Sequence, residues 1–110
     1  MAKGELPPFS TELVTDEDGN AVVIVHGEID LYTAPRLLAA LLEACAEHDG
    51  RVVVDMADVS FMDSQGVKVL LQAHEACDVD LARLVVRSPQ PQTRQVLELT
   101  GIATILRLED

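Results

Sequence analysis

The chain has 110 residues, of which 48% are hydrophobic and 25% charged, the proportions of a single soluble globular domain with one core. Aromatic residues make up only 3%, with no Trp, so Val, Leu, Ile and Ala must build the core and a base-stacking surface is not expected. A net charge of −11 repels phosphate backbones and anionic membrane surfaces, so neither nucleic acid nor membrane is an expected partner, whereas a protein with a basic docking face would be attracted.

Residues 1–8, with Pro7-Pro8, read as a loose lead-in, and 9–110 as the domain. Phe9 to Thr15 alternates as a strand. Asp16-Glu17-Asp18-Gly19-Asn20 is a turn rich in residues that tolerate positive φ, and Ala21 to His26 is a β-branched strand that completes a hairpin. The second strand is apolar enough to be buried on both faces. Gly27-Glu28-Ile29-Asp30 breaks it. A helix follows, capped by Thr33, opened by Pro35 and striped with Leu37, Leu38, Leu41, Leu42 and Cys45. Arg51 to Asp55 is a short central strand. Phe61-Met62-Asp63 leads into a second helix with Val67, Leu70, Leu71 and His74 on its apolar stripe, closed by Cys77-Asp78-Val79-Asp80. Leu84 to Arg87 is a third Val-rich strand. Ser88-Pro89-Gln90-Pro91 bends into a helix with Val96, Leu97 and Leu99 inward, Gly101 stops it, and Ile105 to Leu108 forms a last strand. The order β-β-α-β-α-β-α-β predicts an α/β fold with a mixed sheet of about five strands, parallel wherever a right-handed crossover joins them.

Most catalytic constellations are missing from this pattern. Neither G-x-x-x-x-G-K-S/T nor G-x-G-x-x-G occurs, and no G-x-S-x-G elbow supports a hydrolytic serine. His26, His48 and His74 lie on different elements and have no neighbouring ligand set, so neither a metal nor any other cofactor is expected. Cys45 and Cys77 have neither C-x-x-C nor metal spacing. They read as buried free thiols of a reducing compartment, and with no signal-like leader the expected location is the cytoplasm. Glu28 and Asp30 read as an acidic rim facing a partner rather than as an acid/base pair.

Asp63-Ser64-Gln65-Gly66 stands at a loop-to-helix junction, where either Asp63 or Ser64 can cap. A helix start also offers free N–H groups and a partial positive charge, so a phosphate on Ser64 can be held there. Such a phosphate adds roughly −1.5 to −2 charges beside Asp63 and would act on an apposed surface.

Three stretches, in order, resemble the bacterial anti-sigma factor antagonists, whose domain is called STAS. They are Val25-His26-Gly27-Glu28-Ile29-Asp30 with Thr33-Ala34, then Val52 to Gly66, and Ser88-Pro89 with Arg94, Leu97 and Thr100-Gly101-Ile102. The resemblance runs from about Phe9 to Leu108. It implies a partner switch and not an enzyme. The unphosphorylated protein binds an anti-sigma factor that is itself a serine kinase, and so frees a sigma factor. The kinase, using its own ATP, phosphorylates the serine matched by Ser64, and a PP2C-type phosphatase resets the cycle. By the same resemblance Glu28, Asp30, Asp63, Ser64, Gln65 and Gly66 are the partner-binding positions, with Gly66 allowing close backbone approach. Gln65 stands where the family often carries Ser or Thr, and a final helix common in the family is not seen after Leu108. A missing helix would leave apolar surface for self-association, so a monomer or weak homodimer is expected. A STAS scaffold or transport-complex subunit that is not phosphorylated is the alternative reading.

Overall fold

The computed structural model describes residues 8–77 and 83–110. The expected lead-in and the turn at residues 78–80 therefore lie largely outside the described residues. Five strands form one mixed sheet in the order β1-β2-β3-β4-β5: Ser10–Thr15, Ala21–Ile29, Val52–Met62, Leu84–Arg87 and Arg107–Glu109. The first pair is antiparallel and the others are parallel. Helices α1 (Ala34–Glu47), α2 (Ser64–Ala76) and α3 (Pro91–Leu99) fill the crossovers, and a 3-10 turn, Ile102–Thr104, precedes β5.

Strand order equals chain order, so every crossover steps the same way. A right-handed crossover with a constant step puts each helix on the same face. The packing follows this rule. Val23, Val25, Val52, Val54 and Val86 share a core with Leu37 and Leu41 of α1, Leu70 of α2 and Leu97 of α3. The other face has a smaller cluster drawn from strands alone: Val22, Val53 and Val85, with Ile24 packed against it. Charged side chains flank this cluster, with Arg51 bonded to Glu109 at 2.6 Å and Arg87 lying 3.6 Å from Glu109 and 3.8 Å from Asp16. The Arg51 guanidinium chiefly holds the Glu109 carboxyl below its ordinary range, and hydrogen bonding from the Asn20 backbone does the same for Asp16.

Several expected boundaries move. The second strand is not broken at Gly27 but runs on to Ile29, with register shifts between Ile24 and His26 and again between Gly27 and Glu28. Gly27 has φ +95°, and a Cβ there would meet the Phe9 Cα at 3.0 Å, so the glycine permits a bulge crossed closely by another backbone. The third strand outruns the expected Asp55 by seven positions, to Met62. The α2 stripe is rotated: Gly66, Val69, Leu70, Ala73 and His74 are buried, while Val67 and Leu71 are half-buried. His74, expected at the core edge, is inside it. Leu99, expected to face inward, is 79% exposed, because Thr93 and Leu97 are the residues α3 turns to the core. Gly101 adopts φ 81°, as its place after the helix predicts.

The two cysteines are not free thiols. Cys45 and Cys77 are joined as a disulfide with Cα atoms 5.6 Å apart. Successive crossover helices run parallel, so the last turn of α1 and the end of α2 arrive side by side, one structural repeat apart. A separation of 32 residues hides this from any reading of local spacing. Arg83 reinforces the same end of α1 by donating to the carbonyls of Cys45, His48 and Gly50. Loop-closure entropy for a bridge of this span is about 3.7 kcal/mol, so reduction is expected to lower Tm on the order of 15 °C. Thermal unfolding with and without reductant checks this, with Cys45→Ser as the variant that should not respond; equal Tm values for the wild type would contradict it.

Candidate functional site

The parallel pairing of β2 with β3 sets Glu28 opposite Phe61 and Ile29 opposite Met62. The two following loops therefore leave the sheet side by side, and the Asp63 N–H donates to the Ile29 carbonyl at 3.2 Å. This brings the acidic turn at Glu28 and Asp30 to the same end of the sheet as Asp63, Ser64, Gln65 and Gly66. Ligand sites of parallel α/β sheets lie at this carboxyl end of the strands.

Asp30 has a defined structural task. Its Oδ1 accepts from the backbone N–H groups of Tyr32 at 2.9 Å and Thr33 at 3.0 Å, while its own N–H donates to Thr33 Oγ1 at 2.9 Å. The Ala34 N–H also donates to the Asp30 carbonyl at 2.8 Å. This is the reciprocal arrangement of a capping box on the turn that leads into α1, while Thr33, the residue just before the helix, makes no side-chain cap bond of its own. The Thr33 hydroxyl instead donates to the Glu28 carbonyl at 2.8 Å. Asp30 thus turns inward on its own loop, and Glu28, half-buried at the strand end, is the remaining acidic group of the pair.

At the second junction the competition between two caps is resolved. Asp63 has extended backbone, and its Oδ1 accepts from the Gln65 N–H at 2.8 Å. Ser64 is the first helical residue and is exposed. Its hydroxyl makes no hydrogen bond among the described residues. Lys68, one turn further along α2, is exposed on the same helix, so a phosphate at Ser64 would meet both the helix N-terminus and a nearby cation. Gly66 is buried. A Cβ on it would meet Ile29 Cγ2 at 2.9 Å and press harder still on Cγ and Sδ of Met62. The glycine makes room for side chains beneath the loop, rather than for the backbone approach the resemblance implied.

Sequence reasoning missed two groups here. Leu31 and Tyr32, in the loop after β2, are 61% and 84% exposed. Leu31 lines a shallow cleft with Pro35, Leu38, Gln65, Lys68 and Gln72 beside the Ser64 turn. Two adjacent large residues lying outside any helical stripe were the available signal. The second group is Gln90 and Gln92, at the start of α3. Gln92 Oε1 accepts from the Met62 N–H and its Nε2 donates to the Met62 carbonyl, both at 3.0 Å, while Gln90 Nε2 donates to the Ala57 carbonyl at 2.7 Å. No periodicity marks such residues.

The family model for the STAS domain matches residues 12–110. The chain belongs to the STAS family. The chain is 34% identical to the anti-sigma-F factor antagonist RsfB of Mycobacterium tuberculosis over 102 residues, covering 93% of this chain and 83% of that protein. It is 30% identical to the anti-sigma-B factor antagonist of Listeria monocytogenes over 103 residues, covering 93% and 90%. A crystal structure of an anti-sigma factor antagonist from Mycobacterium paratuberculosis superposes with a TM-score of 0.82 at 33% identity, covering 93% of this chain and 86% of that one. The expected STAS fold and element order therefore hold. Within that STAS frame, Ser64 is the one exposed hydroxyl at the start of the helix that follows β3. No described helix is long and apolar enough to cross a membrane.

Proposed function

We propose that this STAS protein is a cytoplasmic anti-sigma factor antagonist switched at Ser64. In its unphosphorylated form it binds an anti-sigma factor that is a serine kinase, and the sigma factor is thereby freed. Phosphorylation of Ser64 releases it, and a PP2C-type phosphatase restores the hydroxyl. The protein is substrate and ligand in this cycle, not catalyst. Glu28, Asp63, Gln65 and Gly66 surround the docking point, and the resemblance and the relatives' names support the partner class.

The observation that carries the reading is the division of labour at the α2 start. Asp63 caps the helix, which leaves the Ser64 hydroxyl exposed and uncommitted to any described residue. A phosphoryl group placed there costs no cap and unfolds nothing. Its whole effect falls on the surface, as charge and bulk facing a partner.

The test is phosphorylation by an anti-sigma factor kinase that binds the wild-type chain, followed by intact-mass measurement. One phosphate adduct on the wild type and none on Ser64→Ala is expected. An adduct that survives Ser64→Ala moves the switch elsewhere. A chain that binds but takes no phosphate is the STAS scaffold or transport-complex subunit of the alternative reading.

A further inference from the structure

The strand that delivers Ser64 outruns its neighbour. On one side β3 pairs with β4 only from Val52 to Asp55, and from Met56 to Met62 that edge has no strand against it among the described residues. Backbone groups on an open, half-buried edge need partners. The start of α3 supplies them. Gln90 takes the Ala57 carbonyl and Gln92 takes both polar groups of Met62. A primary amide carries an acceptor and a donor in one plane, so the Gln92 side chain binds Met62 as the peptide group of an adjacent strand would.

The consequence lies one bond further on. The Met62 carbonyl and the Asp63 N–H belong to the same peptide unit. Gln92 Nε2 holds its oxygen and the Ile29 carbonyl holds its N–H, at 3.0 Å and 3.2 Å. That peptide plane is gripped from opposite sides, and the next residues are the cap, Asp63, and Ser64 itself. Met62 is fully buried and cannot swing to compensate. We propose that Gln92 is a positioning residue for Ser64. By fixing the Met62–Asp63 peptide it sets where strand gives way to helix, and hence how the serine hydroxyl is presented to a kinase. The inference rests on the proposed role of Ser64. Gln92 acts through Met62, whose backbone N–H and carbonyl occupy both polar atoms of its side-chain amide.

The test compares Gln92→Met, which keeps length and loses both bonds, with Gln92→Glu, which keeps only the acceptor for the Met62 N–H. Ser64 phosphorylation by the same kinase with ATP is followed well below the unfolding temperature, alongside amide hydrogen exchange of the unmodified protein. In Gln92→Met, kcat is expected to fall roughly tenfold or more, with KM nearly unchanged. Exchange at Asp63, Ser64 and Gln65 is expected to speed up while Val53 keeps its protection, and Gln92→Glu, whose second carboxylate oxygen would face the Met62 carbonyl, should be at least as impaired as Gln92→Met in both measurements. A mere loss of stability would speed exchange at Val53 as well and would not split kcat from KM. Unchanged kcat with unchanged exchange overturns the proposal, and so does a raised KM at constant kcat, which would make Gln92 a docking contact. If the wild type takes no phosphate the proposed function fails, and the exchange arm still decides whether Gln92 holds the loop.

Discussion

Replacing Ser64 by Asp is expected to weaken binding to the anti-sigma factor kinase by roughly 100-fold or more, about 2.7 kcal/mol, while Ser64→Ala stays within about threefold of wild type. The direction follows from where the side chain stands. Ser64 is exposed at the first position of α2, and Asp63, not Ser64, accepts the capping hydrogen bond. Removing the hydroxyl leaves the helix start intact and the surface neutral. Adding a carboxylate puts a second negative charge beside Asp63 at the centre of the docking face. If that charge is buried against the partner without a counter-ion, desolvation alone accounts for a loss of this size.

The same variant carries its own folding control. A negative charge in the first turn of a helix is favourable by about 0.3–1 kcal/mol. Ser64→Asp should therefore melt at the wild-type temperature or slightly above, so lost binding cannot be ascribed to lost structure. Titration calorimetry at one fixed salt concentration, paired with thermal unfolding, measures both. Wild-type affinity in Ser64→Asp would sink the switch. Equal losses in Ser64→Asp and Ser64→Ala would show that the hydroxyl itself is a contact and that its charge state is not what the partner reads.

The element order was legible in the sequence because it rests on signals that are local and strong. Asp16 to Asn20 closes a turn with Gly19 at φ +83°, Pro91 opens α3, and Gly101 ends it in the left-handed region. What escaped was set by residues distant in the chain. The reach of β3 to Met62 rests on pairing with the bulged end of β2, with Gln90 and Gln92 serving its other edge, and no alternation in residues 56–62 announces it. The Cys45–Cys77 bridge depends on two helix ends brought level by successive crossovers. At the site, the segment around Ser64 stood out at a loop-to-helix junction and its resemblance gave it a role, and its residues do gather with Glu28 and Asp30 at one end of the sheet. Their individual roles were not readable. Asp63 and Ser64 competed for one cap, and only the geometry shows that Asp63 takes it, just as only the geometry folds Asp30 back onto the N–H groups of Tyr32 and Thr33.

Gly66→Ala should destabilise the protein by roughly 1–3 kcal/mol, the cost of forcing extra volume into a packed core, which would lower Tm by about 4–12 °C. The expected sign opposes intrinsic preference, because Ala in a helix interior is favoured over Gly by about 1 kcal/mol. Backbone conformation does not decide the matter, since Gly66 lies within regular α2. Packing does. The added methyl would stand 2.9 Å from Ile29 Cγ2 and closer to the Met62 thioether, and Ile29 and Met62 are both fully buried. Methionine ordinarily adapts to such a demand. Here its backbone is held by Gln92, and the methyl would push the first turn of α2 outward, carrying Ser64 with it. The way to separate crowding from any other cause is to give the methyl room. Met62→Ala alone should cost a few kcal/mol as a cavity, yet combined with Gly66→Ala the loss should be clearly smaller than the sum of the two. Denaturant unfolding of the three variants measures that coupling, and strict additivity, or a Gly66→Ala protein more stable than wild type, would show that the space under the Ser64 turn is not what the glycine preserves.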